Sequence, residues 1–135
     1  MAGSLFIGQI VSEEPMGMYI GSTVINTDDV DRAITFWTAA LGYVVRDADP
    51  SFAVLTDPKR RWSNVSLQRT EEPKRGRNRV HLDVYSADRD AEVARLEGLG
   101  AVRLPWEYEP DHDHTVMADL DGNEFCVVQS PYRQD

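Results

Sequence analysis

The feature that most constrains this chain is that its order of signals occurs twice. Asp29 and Asp88 stand 59 positions apart, and Gly42 and Gly100 stand 58 apart. Each Asp follows a short β-type segment, and each Gly closes a run with helical spacing. Looking for such repeats comes before assigning elements, because a repeated unit sets the architecture. In the first copy, Ser22–Asn26 reads as a half-buried strand. Asp28 or Asp29 then caps a helix whose apolar positions Val30, Ala33, Ile34, Trp37 and Leu41 recur every three to four residues, and Gly42 supplies the left-handed stop. In the second copy, Arg79–Tyr85 alternates cleanly, and Asp88 opens a run reaching Gly100. A short strand follows each glycine (Tyr43–Arg46 and Ala101–Leu104), then two strands around a turn, Asp57-Pro58 in one copy and Asp121-Gly122 in the other. Each copy therefore reads strand, helix, strand, strand, strand.

A unit of about 55 residues buries too little surface to stand alone, so the copies are expected to share one core under two helices. The predicted fold is α+β: two paired βαβββ modules, about 18–70 and 79–130, forming a curved mixed sheet around a concave cavity. They make one domain over 18–130, with a flexible leader at 1–17 and a tail at 131–135. Alternation directs Val80, Leu82, Val84, Phe125 and Val127 towards the helices. It puts Arg79, His81, Asp83, Glu124, Cys126 and Val128 on the opposite face. A curved face carrying an imidazole, a thiol and carboxylates is a place for a ligand.

Charge and composition narrow the partners. Lys and Arg number 14 against 23 Asp and Glu, a net charge of −9. The two dense basic stretches, Lys59–Arg61 and Lys74–Arg77, read as solvated loops, so nucleic acid is not an expected partner. No apolar run is long enough to span a bilayer, so no membrane partner is expected either. The one cysteine, Cys126, forms no disulfide within the chain and suits a reducing, cytoplasmic setting. A nucleophile elbow, a Gly-rich phosphate loop and paired Cys-x-x-Cys ligands are all absent from the sequence.

The layout, with Asp29-Val30-Asp31-Arg32-Ala33, Phe36-Trp37, Leu41-Gly42-Tyr43, His81-Leu82-Asp83 and the closing Asp119-Leu120-Asp121-Gly122-Asn123-Glu124-Phe125-Cys126, resembles the vicinal oxygen chelate superfamily. That group includes glyoxalase I, extradiol dioxygenases, fosfomycin-inactivating enzymes and bleomycin-resistance proteins. The likeness covers roughly 18–130 and is closest to the glyoxalase-like branch ending Gly-Asn-Glu-Phe-Cys. Its metal-using members draw a His and a Glu from each half. The resemblance places these positions at Ser22, at His81, at Cys126, and in Asn64–Gln68, where Ser66 and Gln68 face the cavity. Only His81 keeps a usual ligand type.

The resemblance therefore implies a small-molecule-binding protein without the usual metal site and with no assigned cofactor, acting as a homodimer. His81 is the candidate acid/base, and Ser22, Ser66, Gln68, Asp83, Trp106, His114, Glu124 and Cys126 are the candidate ligand contacts. The alternative is a metal-dependent lyase, isomerase or dioxygenase using His81 in a non-standard set with Glu124 and Cys126. Glu124 and Cys126, two apart on a strand, sit roughly 7 Å apart at the backbone, which long side chains bridge awkwardly. A third reading is an interaction module whose cavity is filled by its own side chains.

Plainer roles compete at each position. Asp83 is more simply a partner for His81 or Arg79, and Cys126 a small buried hydrophobe. Glu124 is equally a partner for an arginine. The run Trp106–His114, with His112 and His114 in alternation, reads first as a rim loop and only secondarily as a metal site. Trp37 belongs to a helix core, and Trp62 either stacks on a planar ligand or covers a sheet edge.

Overall fold

The computed structural model describes residue 17 and residues 19–130. The proposed leader, apart from Gly17, and the tail lie outside them. The elements run β1 (Ser22–Thr27), α1 (Val30–Leu41), β2 (Val44–Asp49), β3 (Phe52–Thr56), β4 (Asn64–Arg69), β5 (Leu82–Ser86), α2 (Arg89–Gly98), β6 (Val102–Arg103), β7 (His114–Ala118) and β8 (Glu124–Gln129). They form two four-stranded mixed sheets, ordered β1-β4-β3-β2 and β5-β8-β7-β6. In each, the first strand lies parallel to the last and the other neighbours run antiparallel. The duplication in sequence is thus a duplication in topology.

Both helices begin as their capping aspartates dictate. The Asp29 carboxylate accepts from Arg32 N at 3.0 Å, and that of Asp88 from Ala91 N at 3.1 Å. Gly42 stops α1 at φ 71° and donates to Thr38 O. Gly100 takes φ +111°, a conformation that side-chain-bearing residues rarely adopt, and a Cβ there would also displace the Leu120 Cδ2 methyl, 2.7 Å away.

One core serves both modules, joining Phe36, Trp37, Leu55 and Leu67 to Val93, Met117, Phe125 and Val127. Trp37 is its centre. Only 2% exposed, its ring meets Phe36 and Phe125 edge-on at 5.0 and 5.3 Å. Its indole N–H donates to the buried Asp119 carboxylate at 3.3 Å, 82 residues away in sequence. Asp119 also accepts from the backbone of Asp121 and Asn123 and from Asn123 Nδ2, which shapes the turn between β7 and β8. Burial pushes the Asp119 carboxyl above its ordinary range, against the downward pull of those hydrogen bonds.

Around this centre the modules hold each other by their ends. Asn123 Nδ2 donates to Asn26 O, Arg32 pairs with Asp121 at 2.7 Å, and the Arg95 guanidinium donates to Ala39 O and Ala40 O. The last pair of bonds satisfies carbonyls that the end of α1 would otherwise leave free, and places a cation at that end.

Two expectations change. Val80, assigned to the face under the helices, lies before β5 begins and is 81% exposed; the alternation starts to bury residues only at Leu82. Asp57-Pro58 is not a tight hairpin turn but the start of a connection over 57–63. There the Asp57 carboxylate, 2% exposed, accepts from Lys59 N, Arg61 N and Arg61 Nε. Burial alone would raise the Asp57 carboxyl, but these donors outweigh it and hold it low.

Two outcomes follow from the Trp37 junction. Trp37→Phe should lose about 1 kcal/mol, one net hydrogen bond, and Trp37→Ala about 3–5 kcal/mol, each in a single urea transition. Two separated transitions would show that the modules fold independently. For Asp119, the raised folded pKa means that the native state keeps the proton to higher pH than the unfolded chain. Its contribution is fullest below the unfolded value of about 3.9 and falls as pH rises through the folded one. The stability of the wild type relative to Asp119→Asn should therefore decline from pH 4 upward; a flat difference would contradict the assignment.

Candidate functional site

The core takes one face of the second sheet and leaves the other as a hollow. Because β5 and β8 run parallel with Asp83 opposite Cys126, these two side chains emerge beside each other on that face. His81, two residues before Asp83, joins them: its Nε2 lies 3.0 Å from Asp83 Oδ1. One donor atom each from His81, Asp83 and Cys126 lie within 4.8 Å of one another. His81 and Asp83 are about half exposed, whereas Cys126 is 8% exposed at the base. Burial first, and then the neighbouring Asp83 carboxylate, push the Cys126 thiol up, which keeps it protonated when nothing else binds there.

The cavity above them measures about 320 Å³ and is open to solvent on one side. Its rim carries Trp106, His114 and Tyr85. Trp106 rests on Val116, Cys126 and Val128 and is overlaid by the Arg77 guanidinium at 4.2 Å from its ring. Tyr108 steadies the rim from behind, accepting from Val116 N at 2.9 Å and stacking on His112 at 4.2 Å. His114 alone of the His-x-His pair lines the hollow; His112 turns its Nδ1 to Glu109 O at 3.0 Å.

Glu124 also borders the hollow, but its carboxylate is occupied. It accepts from Asn78 N at 2.7 Å and lies 3.5 Å from Lys74 Nζ, while its own carbonyl accepts from Asn78 Nδ2. Burial would raise this carboxyl, yet the Asn78 N–H and the Lys74 and Arg77 charges hold it below the usual range. Glu124 thus pins the segment joining the modules, and Lys74 completes the strap by donating to Gly76 O. The side chain grouped with His81 and Cys126 is Asp83, not Glu124.

Six of the sequence-predicted residues therefore surround one cavity: His81, Asp83, Trp106, His114, Glu124 and Cys126. Ser22, Ser66 and Gln68 lie on the first sheet and do not line it. Ser22 Oγ and Ser66 Oγ bond to each other at 2.6 Å. By register, Val24 opposite Ser66 corresponds to Asp83 opposite Cys126, so the first sheet offers neutral groups where the second offers a carboxylate and a thiol. Sequence reasoning missed Arg77, Asn78 and Tyr85. Tyr85 continues the period of two from His81 and Asp83 and was findable on that signal. Arg77 reads as one cation among several in a loop, and only its seat on Trp106 distinguishes it.

This geometry suits a molecule held between aromatic surface and a polar floor, with His81 able to exchange a proton or a hydrogen bond with it. No functionally curated protein matches the sequence. Among solved structures, a member of the glyoxalase/bleomycin resistance protein/dioxygenase superfamily from Sphaerobacter thermophilus is 24% identical, with TM-score 0.61 and coverage of 82% of this chain and 96% of that one. The bleomycin-binding protein of Streptomyces verticillus, complexed with copper(II)-bleomycin, is 17% identical with TM-score 0.59, covering 86% and 99%. A fosfomycin resistance protein from Listeria monocytogenes, complexed with Mn(II) and a dihydroxypropylphosphonic acid, is 11% identical with TM-score 0.69, covering 86% and 92%. Residues 22–128 match the family model described as a glyoxalase-like domain, and with the doubled βαβββ topology this places the chain in that family, within the glyoxalase, bleomycin-resistance and dioxygenase superfamily.

Proposed function

We propose that this protein binds a small organic molecule in the hollow of the second sheet, and does so as a cytoplasmic homodimer. The observation that carries the reading is the cavity itself. Its volume of about 320 Å³ and its convergence of His81, Asp83 and His114 beside Trp106 and Tyr85 match the usual makeup of a small-ligand site. An aromatic or planar portion stacks on Trp106, and polar groups meet the imidazoles and Asp83. Bleomycin and a phosphonate held by proteins of the same fold support the reading. With Ser22 and Ser66 in place of the family's first-half ligands, binding relies on these contacts and not on the usual four-ligand metal centre.

The homodimer is supported by what each chain leaves open. β1 and β5 end their sheets, and Tyr19, Ile20 and Val24 near one edge and Val80 and Tyr85 near the other are exposed apolar residues. A twofold partner covers both edges at once and brings the neutral face of Ser22, Val24, Ser66 and Gln68 over the hollow. Among the described residues no helix is long and apolar enough to cross a membrane.

A second reading, metal-dependent lyase, isomerase or dioxygenase chemistry, is favoured by one observation: the convergence of His81, Asp83 and Cys126. A bound cation there supplies Lewis acidity to a substrate oxygen, and His81 and Asp83 orient the substrate around it.

Thermal-shift screening of chelator-treated protein against planar and aromatic organic molecules tests the first reading. A ligand at a hundredfold excess over Kd adds about 2.7 kcal/mol, several degrees of Tm, and Trp106→Ala should remove most of that shift. A panel without a hit, or hits indifferent to Trp106→Ala, would overturn it. Light scattering should give twice the 15.2 kDa chain mass, and Val24→Asp should return the monomer.

A further inference from the structure

We propose that the ligand of the hollow is a planar organic monoacid, whose carboxylate is taken by Arg77 at the rim and whose far end donates a hydrogen bond to Asp83 at the floor. This rests on small-molecule binding in that cavity and names the class of molecule.

Arg77 is a cation whose hydrogen-bonding capacity is unused. It lines the hollow with its guanidinium 4.2 Å from the Trp106 ring, and among the described residues it makes no hydrogen bond or ion pair. The carboxylates that border the same hollow are engaged elsewhere: Asp83 with His81 Nε2 at 3.0 Å, Asp113 with His114 Nδ1 at 3.5 Å, and Glu124 with Asn78 N and Lys74. Arg75 and Arg79 also lack such partners, but neither lines the hollow.

The chain on both sides of Arg77 is pinned. Gly76 O accepts from Lys74 Nζ, and Asn78 is bound to Glu124 through both its backbone N–H and its Nδ2. These bonds fix the backbone that carries Arg77 and hand its side chain to Trp106. Less ordering is then left for an arriving ligand to impose.

An arginine seated on an indole selects its partner. The guanidinium fork binds a carboxylate through two parallel N–H donors, and the apolar ring excludes water from one side of the pair. One guanidinium matches one carboxylate. A phosphate or a dicarboxylate would bring a second negative charge towards Asp83 and Asp113, with Lys74 already held by Glu124. At the floor, Asp83 is about half exposed and keeps acceptor capacity beyond its bond to His81, which suits a hydroxyl or amino group. A cavity of about 320 Å³ holds a ring system of modest size between these two ends.

The test is calorimetric titration of the full chain with matched pairs: para-hydroxycinnamate and para-aminobenzoate, each beside its own carboxamide. The acids should bind about tenfold or more tighter than the amides, and the advantage should shrink as salt is raised. Arg77→Gln should bring the acids down to the affinity of the amides, Arg77→Lys should keep part of the preference, and Arg75→Gln should leave it whole. Melting temperatures of the unliganded variants confirm their folds. Amides that bind as tightly as acids, an acid preference that survives Arg77→Gln, or an equal loss from Arg75→Gln overturns the proposal and leaves small-molecule binding standing. So does failure of both acids where neutral planar molecules give thermal shifts sensitive to Trp106→Ala. A thermal-shift panel without any hit overturns both.

Discussion

The structure depends on an indole being buried between two modules with its N–H satisfied from the far one. Each module alone offers one helix and four strands, too little to exclude water from a Trp side chain. Set against the second sheet, Trp37 meets Phe125 at its edge and Asp119 at its nitrogen. The union is selective as well as adhesive, because sliding the modules by one residue would leave a donor and a carboxylate buried without partners. Packing one apolar stripe of each helix into the shared core also fixes where the hollow lies. The sheet faces that take no part in the core are the ones left to bind something.

Those free faces differ in chemistry between the modules, while the core faces stay apolar and buried in both. Leu55 and Leu67 in one module answer Met117 and Val127 in the other, all four at most 1% exposed. On the outer faces, a hydrogen-bonded serine pair with Val24 answers His81, Asp83 and Cys126. The core is bound by volume, and both copies must meet that demand at once. A concave face in water carries no such demand, so charge can gather on one copy while the other stays neutral.

Much of this was legible in the sequence, and the illegible part has a common cause. Helix ends follow from local chemistry, as at Asp29, Gly42 and Asp88, and the inward and outward sets of β8 follow from a period of two. What failed were segments without a period. Val80 reads as part of an alternation that begins only at Leu82, and Asp57 as a hairpin turn where its carboxylate organises a longer connection by accepting three hydrogen bonds, from Lys59 N, Arg61 N and Arg61 Nε. Glu124 had the right position for a cavity ligand. Nothing within its own strand signals that Asn78, 46 residues earlier, claims its carboxylate.

That claim decides how the hollow works electrostatically. With Glu124 tied into the strap, Asp83 is the acid beside both the imidazole and the thiol, and it acts on each in a different way. It shares a hydrogen bond with His81 Nε2 at 3.0 Å, and its charge disfavours loss of the proton from Cys126 beyond what burial already does. Negative charge therefore stands at the floor and positive charge at the rim, where Arg77 sits over the Trp106 ring. The strap that positions Arg77 is held by the same Glu124 that borders the floor, so the two ends of the site are set by one carboxylate that itself stays out of contact with the trio.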